Sequence, residues 1–115
     1  MVLSVFMLSQ QQKQTVKTNG VATYYAEKYH GRKTASGEIY NQNNLTCAAD
    51  KRNYKFGTKL KITNITNNTS VIVKVTDTGK DIIGNRIDLS KAAFKTIANL
   101  NTGVIKILIE EVLDI

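Results

Sequence analysis

Two short segments alternate apolar and polar residues with a period of two, and this alternation constrains the fold more than any other feature of the chain. It runs through residues 58–63 and again through residues 71–75. A period of two is typical of β-strands that bury one face. Residues 64–70, which lie between the two segments, are rich in asparagine and threonine, so we predict an antiparallel hairpin.

Further strands are predicted at residues 21–25, 45–49 and 104–109, where apolar residues cluster. A single helix is predicted after Ser90, a suitable N-cap, because apolar residues then recur at helical spacing. These are Ala93, Phe94, Ile97 and Leu100. Short strands with one helix favour a compact barrel or sandwich.

The composition restricts the partners of the chain. A length of 115 residues fits one domain, and 16 basic against 9 acidic side chains give a net charge of +7, which attracts polyanions. The basic residues are scattered and no nucleic-acid-binding module accompanies them, so we predict no nucleic-acid partner. No apolar run approaches the roughly 18 residues of a membrane-spanning helix, so no spanning segment is predicted.

The first 18 residues differ in character from the rest. An apolar run at residues 2–8 is followed by a polar stretch up to residue 19. The run is similar to the end of an export leader, although no basic residue precedes it and no small-residue cleavage pattern follows it. We interpret residues 1–18 as a flexible N-terminal segment, the remnant of such a leader, and residues 19–113 as the folded domain.

Cys47 is the only cysteine and His30 the only histidine. One cysteine excludes an internal disulfide, and its apolar surroundings predict a small buried side chain. The sequence offers no metal-ligand cluster and no support for a Cys-His or Ser-His-Asp arrangement. We therefore predict no metal and no cofactor.

Residues 30–38 and 76–90 place charged side chains beside glycines. Asp77 directly follows a buried strand, where a carboxyl group can act as a proton donor, so it is the candidate acid. An alternative is that Asp77 caps the amides of the following Thr78-Gly79 turn. Likewise, Glu38 can be a solvated loop carboxylate, and Asp88 a structural partner of Arg86.

Several motifs occur together in a fixed order. They are Gly20-Val21-Ala22-Thr23-Tyr24-Tyr25, His30-Gly31-Arg32-Lys33-Thr34-Ala35-Ser36-Gly37-Glu38, Leu45-Thr46-Cys47-Ala48-Ala49, Phe56-Gly57-Thr58, Asp77-Thr78-Gly79 and Arg86-Ile87-Asp88-Leu89-Ser90. In this order they resemble the rare lipoprotein A family, of the septal lytic transglycosylase type. The resemblance covers nearly everything from residue 20 to residue 112.

The resemblance implies an all-β fold, a six-stranded double-psi β-barrel with one or two short helices. It also implies export to the bacterial cell envelope, in the periplasm or at the outer membrane, and lytic transglycosylase action on peptide-stripped peptidoglycan. In that reaction Asp77 protonates the glycosidic oxygen and then helps the C6 hydroxyl of N-acetylmuramic acid to close a 1,6-anhydro ring. Glu38 matches a family carboxylate that stabilises the transition state or orients the sugar.

Further residues are predicted to contact the glycan, although buried packing is the alternative role for each tyrosine. The predicted contacts are Tyr24, Tyr25, His30, Thr34, Ser36, Tyr40, Thr78 and Arg86.

The chain departs from the family where active members carry a histidine after the Leu-Thr-Ala-Ala stretch. This sequence has Ala49-Asp50 there. Asp50 is therefore a third candidate catalytic residue, a carboxylate that substitutes for the histidine. The alternative is a weakened site.

Two other classes of function compete with the enzyme. One is a non-catalytic module that binds peptidoglycan glycan strands, motivated by the missing histidine and the basic surface. The other is a dimeric aspartic protease, suggested by Asp77-Thr78-Gly79, but Lys80 stands where such sites have a small residue. We favour the transglycosylase, acting as a monomer.

Overall fold

The computed structural model describes residues 16–113. This part of the chain contains six strands, one α-helix and two short 3-10 turns. The strands are β1 (Lys17–Tyr24), β2 (Thr46–Ala48), β3 (Lys59–Asn64), β4 (Thr69–Asp77), β5 (Arg86–Leu89) and β6 (Ile105–Glu111). The helix α1 spans Lys91–Ile97, and the 3-10 turns span Glu27–Tyr29 and Leu100–Thr102.

The strands close into a barrel in the order β1-β5-β2-β4-β3-β6. β1 pairs with β5 and β2 with β4 in parallel, whereas the other neighbours are antiparallel. Among the six described strands, closure leaves no unpaired sheet edge. The predicted all-β, six-stranded barrel with short helices is thus confirmed. Within residues 16–113, no helix is long and apolar enough to cross a membrane.

The predicted hairpin is present as β3 and β4. Leu60 is opposite Val73 and Ile62 is opposite Val71, and all four side chains are buried. The turn between the strands contains Asn68 with a φ of 58°, a backbone conformation that asparagine tolerates better than most residues.

The other three predicted strands correspond to β1, β2 and β6. β1 begins at Lys17, two residues before the predicted domain start, and residues 1–15 of the predicted leader lie outside the described residues. Glycine at position 20 is required by packing, because a side chain there would collide with the backbone carbonyl of Asn85. The close approach lets the amide of Val21 bond to that same carbonyl.

Helix α1 begins as predicted and ends earlier than predicted. The Ser90 hydroxyl accepts a hydrogen bond of 3.2 Å from the amide of Ala93, which confirms the N-cap. The side-chain amides of Asn64 and Asn67 donate to the carbonyl of Ile97 at 2.8 and 3.0 Å, so the hairpin turn satisfies the last turn of the helix. The backbone of Ala98 is extended, which ends the helix, and Leu100 lies in a separate 3-10 turn.

The core lies inside the barrel and beneath α1. Cys47 and Phe94 are fully buried there, which confirms the buried position predicted for the cysteine.

β5 is a strand that the sequence patterns do not predict, since four residues are too few for an alternation to stand out. Ile87 and Leu89 are fully buried, while Arg86 and Asp88 are partly exposed. β5 therefore presents a cation and a carboxyl group on the outside of the barrel, between β1 and β2.

Candidate active site

Two aspartates and an alanine lie side by side on three neighbouring strands. Ala48 of β2 is opposite Asp77 of β4 on one side and opposite Asp88 of β5 on the other. Asp88 is in turn opposite Thr23 of β1. Neighbouring strands are about 4.8 Å apart, so roughly 10 Å separates the two aspartate Cα atoms. Ala48 is 3% exposed and lines the cleft with a methyl group alone, so no larger side chain of β2 separates the two carboxyl groups.

An irregularity at Thr76 brings Asp77 into this row. Alternation up to Val75 would turn residue 77 towards the interior. Instead, Cys47 pairs with Val75 whereas the next residue, Ala48, pairs with Asp77, so β4 carries one extra residue, as in a β-bulge. Val75 and Thr76 are consequently both buried, and Asp77 is only partly buried at the surface.

Three donors hold the Asp77 carboxylate. The Tyr25 hydroxyl donates to Oδ2 at 2.8 Å, and the backbone amides of Ala35 and Thr78 donate to Oδ1, each at 2.9 Å. The bond from Thr78 is the turn-capping contact considered above as an alternative, and the other two donors come from distant parts of the chain. Burial and the hydrogen bond to Asp77 raise the pKa of Tyr25, so its hydroxyl remains a neutral donor.

Asp88 is a second acidic group in the row and was not selected as a site residue from the sequence. Its Oδ1 accepts a hydrogen bond of 2.8 Å from the Thr23 hydroxyl. Burial raises the pKa of Asp88 and the charge of Asp77 adds to this rise, while the Thr23 bond and Arg86 oppose it. A carboxyl group that keeps its proton to higher pH is suited to general-acid catalysis. In the sequence, the position of Asp88 between the apolar residues Ile87 and Leu89 was the signal that could have identified it as a site residue.

Asp77 and Asp88 line a cleft of about 370 Å³. The loop after β4, residues 78–82, also lines it, as do Tyr25 and Arg86. The guanidinium of Arg86 donates to the carbonyl of Asp81 at 3.3 Å, which ties the side chain to that loop. Four predicted site residues, Asp77, Tyr25, Thr78 and Arg86, therefore meet in one cleft.

Tyr29 is an aromatic residue of the cleft that the sequence analysis missed. Its side chain lines the cleft and it is 39% exposed, and its ring meets that of Tyr25 edge-on at 6.0 Å. The cationic groups of Lys28 and Arg32 lie 5.3 and 5.5 Å from the ring centre. Tyr29 thus offers apolar surface beside positive charge. Tyr29 is more exposed than Tyr25 and Tyr40, and this difference in exposure has no local sequence signal.

Residues 33–39 form a tight loop against the end of β4. The Thr34 hydroxyl donates to the Glu38 carbonyl at 2.7 Å and lies 2.9 Å from the Ser36 hydroxyl. The amide of Ser36 donates to the carbonyl of Thr76 at 3.1 Å. Thr34 and Ser36 thereby shape the loop that brings the amide of Ala35 to Asp77.

The Glu38 carboxylate does not line the cleft. It forms an ion pair of 2.8 Å with Lys74, and both side chains are about half exposed, at 52% and 41%. An exposed pair of this kind contributes little to stability.

Asp50 also lies apart from the cleft lining. Its side chain is only 6% exposed, and Arg52 meets it at 2.7 Å. The amide of Gly84 donates to the same carboxylate at 2.8 Å. The Arg52 side chain, and after it the backbone amides of Gly84 and Arg52, hold the pKa of Asp50 well below its usual range. Asp50 is a fixed anion with its lone pairs in use.

Three other predicted contacts have packing or loop positions. Tyr24 packs against Phe94 at 4.7 Å and its hydroxyl donates to the carbonyl of Leu100 at 2.9 Å. Tyr40 is 3% exposed and stacks on Tyr25 at 4.3 Å, behind the cleft. His30 is exposed, and its Nδ1 accepts the amide of residue 42 at 3.0 Å.

A larger groove of about 510 Å³ lies on the other side of Arg86. Its described lining combines aliphatic side chains, among them Val21, Ile65 and Ile83, with two asparagines and two cationic residues, and includes no carboxylate. Acid-base chemistry needs titratable groups, so the smaller cleft is the candidate active site.

The fold and the cleft together define a class of protein: a double-psi β-barrel with two carboxyl groups on its outer surface, on strands β4 and β5 at either side of β2. Residues 17–109 match the family described as lytic transglycolase. The match covers most of the chain, and the protein belongs to this family.

Curated relatives carry consistent names. The chain is 41% identical over 98 residues to the probable endolytic peptidoglycan transglycosylase RlpA of Treponema pallidum, which covers 85% of this chain and 30% of the relative. It is 45% identical over 85 residues to the protein of the same name from Synechocystis, covering 74% of this chain and 26% of that one. The endolytic peptidoglycan transglycosylase RlpA of Pasteurella multocida is 39% identical over 92 residues, covering 80% and 31%. The chain thus spans about a third of the length of these relatives or less.

Solved structures share the fold. A mutant expansin from Clavibacter michiganensis in complex with cellohexaose superposes with a TM-score of 0.70 at 24% identity, covering 87% of this chain and 52% of the expansin. The Streptomyces papain inhibitor gives a TM-score of 0.72 at 24% identity, covering 85% and 96%. One barrel therefore supports different functions, and the function has to be argued from the site.

Proposed function

We propose that this domain is a lytic transglycosylase that cleaves the bond between N-acetylmuramic acid and N-acetylglucosamine in peptidoglycan and leaves a 1,6-anhydro end. The observation that carries the proposal is the row of Asp77, Ala48 and Asp88, which sets two carboxyl groups on either side of a small side chain in the lining of one cleft. The names of the curated relatives support the same reaction.

The reaction requires one proton to be delivered and one to be removed. Asp88 donates its proton to the glycosidic oxygen, and the bond from that oxygen to C1 of N-acetylmuramic acid breaks with oxocarbenium-like character. The Asp77 carboxylate accepts the proton of the C6 hydroxyl while the C6 oxygen forms the new bond to C1. After product release, solvent returns a proton from Asp77 to Asp88, and no water is consumed.

This assignment differs from the one made on the sequence, which gave both proton transfers to Asp77. Asp88 enters because its pKa is raised and because it faces Asp77 across Ala48. We assign no proton transfer to Glu38 or Asp50, since neither lines the cleft.

Substrate contacts are proposed for Tyr29, Thr78 and Arg86, which line the cleft beside the two aspartates. Tyr25 acts through its bond to Asp77. We further propose that the substrate is peptide-stripped glycan and that the protein works as an exported monomer in the bacterial cell envelope, in the periplasm or at the outer membrane.

The test is incubation of the purified protein with intact and with peptide-stripped peptidoglycan, followed by mass spectrometry of the released products. We expect anhydromuramyl products from the wild type. Asp77→Asn and Asp88→Asn should each lower the initial rate at least about 100-fold, because each removes one proton transfer. Glu111→Gln, an exposed carboxylate on β6, is the matched control and should retain activity.

A different pattern would identify a different function. If neither the wild type nor the variants release glycan while all of them sediment with it, the domain is a glycan-binding module. If Asp77→Asn alone is inactive, both proton transfers belong to Asp77.

A further inference from the structure

Asp50 is a buried carboxylate in the turn that follows β2, and each of its two oxygens accepts two hydrogen bonds. Oδ1 accepts the backbone amide and the Nε of Arg52, each at 3.0 Å. Oδ2 accepts the Nη2 of Arg52 at 2.7 Å and the amide of Gly84 at 2.8 Å. A buried anion without such partners would be strongly destabilising, so this arrangement is built around the charge.

The hydrogen bond from Gly84 to Asp50 joins two segments that are distant in the sequence. Gly84 belongs to the loop between β4 and β5, 34 positions after Asp50. The Asn53 side-chain amide donates to the carbonyl of the same glycine at 3.0 Å. The amide of Asn53 in turn donates to the carbonyl of Asp50 at 2.9 Å, so both side chains project from one turn. This turn therefore holds both backbone polar groups of Gly84.

Gly84 itself has a backbone conformation that favours these two hydrogen bonds. Its φ is 68°, in the left-handed region where a side chain is disfavoured. The glycine lets the loop present its amide and its carbonyl to the 50–54 turn at once.

The gripped loop forms part of the cleft. Residues 78–82 line the cleft before Gly84 in the chain, and Arg86 and Asp88, which also line it, come shortly after Gly84. Lys80, Asp81 and Ile83 are exposed, so this part of the loop has little packing of its own. Ile82 packs with Tyr25, and the carbonyl of Asp81 accepts a bond of 3.3 Å from Arg86; the bonds to Gly84 add a further attachment near the end of the loop.

We propose that Asp50 and Asn53 form a latch that positions the loop between β4 and β5 as the wall of the catalytic cleft. Asp50 is then a positioning residue and does not take part in proton transfer, even though it stands where a catalytic histidine is expected from the family resemblance. The proposal rests on the proposed function only for its effect on turnover, since the latch itself is a property of the loop.

The test compares Asp50→Ala, Asn53→Ala and the double variant with the wild type, with Lys51→Ala as a matched control in the same turn. Hydrogen exchange measured by NMR reports the loop directly. We expect the Gly84 amide to exchange about tenfold faster or more in Asp50→Ala, because it loses a charged acceptor, while core amides such as those of Val73 and Ile107 are unchanged. Lys51→Ala should leave all of these rates unchanged.

Turnover of peptide-stripped glycan separates a latch from a catalytic partner. For a latch, both single variants raise KM and lower kcat/KM, and the double variant loses less than the product of the two single effects, since both act on one glycine. For a catalytic partner, Asp50→Asn abolishes kcat while Gly84 stays protected, and Asn53→Ala has no effect. That outcome would overturn the proposal.

Failure of the proposed function would look different. If the wild type releases no glycan, exchange at Gly84 and the affinity for peptide-stripped glycan still report on the latch. Unchanged exchange at Gly84 in both Asp50→Ala and Asn53→Ala would overturn the latch whatever the activity.

Discussion

Asp77 and Asp88 share a cleft but have different surroundings. Asp77 accepts three hydrogen bonds, from one hydroxyl and two backbone amides. Asp88 has the Thr23 hydroxyl as its hydrogen-bond donor and is raised in pKa by burial. Two carboxyl groups whose environments differ in this way are typical of an acid and a base that work together.

The raised pKa of Asp88 predicts a cost to stability that depends on pH. Its protonated form favours folding below the pKa of the unfolded chain, and this contribution is lost as the pH rises through the higher folded pKa. We expect Asp88→Asn, which keeps an oxygen for Thr23, to raise Tm by roughly 2–5 °C at pH 7. The gain should disappear near pH 3, where the wild-type carboxyl is protonated.

Thermal unfolding followed by circular dichroism between pH 3 and pH 8 measures this effect. Asp81→Asn, at an exposed position of the neighbouring loop, is the control and should leave Tm unchanged. A gain that does not vary with pH would contradict the electrostatic explanation.

At the level of elements, Ser90 connects β5, β2 and α1. Its hydroxyl caps α1 through the amide of Ala93 and donates to the carbonyl of Asn44 at 2.6 Å. The backbone amide of Ser90 donates to the carbonyl of Thr46 at 2.8 Å. Because Ser90 follows β5 directly, these bonds also hold the strand that carries Asp88.

We expect Ser90→Ala to lower the free energy of unfolding by about 1–3 kcal/mol, because the helix loses its cap and the carbonyl of Asn44 loses its side-chain donor. Urea unfolding measures the change. Lys95→Ala, an exposed position of the same helix, should change it by less than about 0.5 kcal/mol. A loss for Ser90→Ala no larger than that of the control would show that the cap is unimportant.

On the scale of the whole molecule, the net charge of +7 is the dominant electrostatic property. A net positive charge is attracted to polyanions over a distance set by salt. Raising the ionic strength from about 0.1 M to about 1 M shortens the Debye length from about 10 Å to about 3 Å.

We therefore expect the fraction of protein that sediments with polymer-bearing cell walls to fall at least about twofold over this range of salt. Walls stripped of their anionic polymers are the control and should show a smaller change. Equal salt dependence on both kinds of wall would mean that the charge serves solubility alone.

The sequence by itself determined a fold of short strands with one helix, the hairpin, the cap of α1 and the presence of Asp77 at the end of a buried strand, and the family resemblance of its motifs implied the barrel. These features depend on short-range periodicity and on contiguous motifs, which are visible along the chain. β5 escaped prediction because its alternation spans only four residues.

Only the tertiary structure decided which of these residues form a site. The shift at Thr76 sets Asp77 beside Ala48, and the pairing of β2 with β5 brings Asp88 to the other side. Burial separates Tyr29, which lines the cleft, from Tyr40, which packs behind it. Register, burial and contacts between distant segments are not properties of any local stretch of sequence, and they are what placed the functional groups.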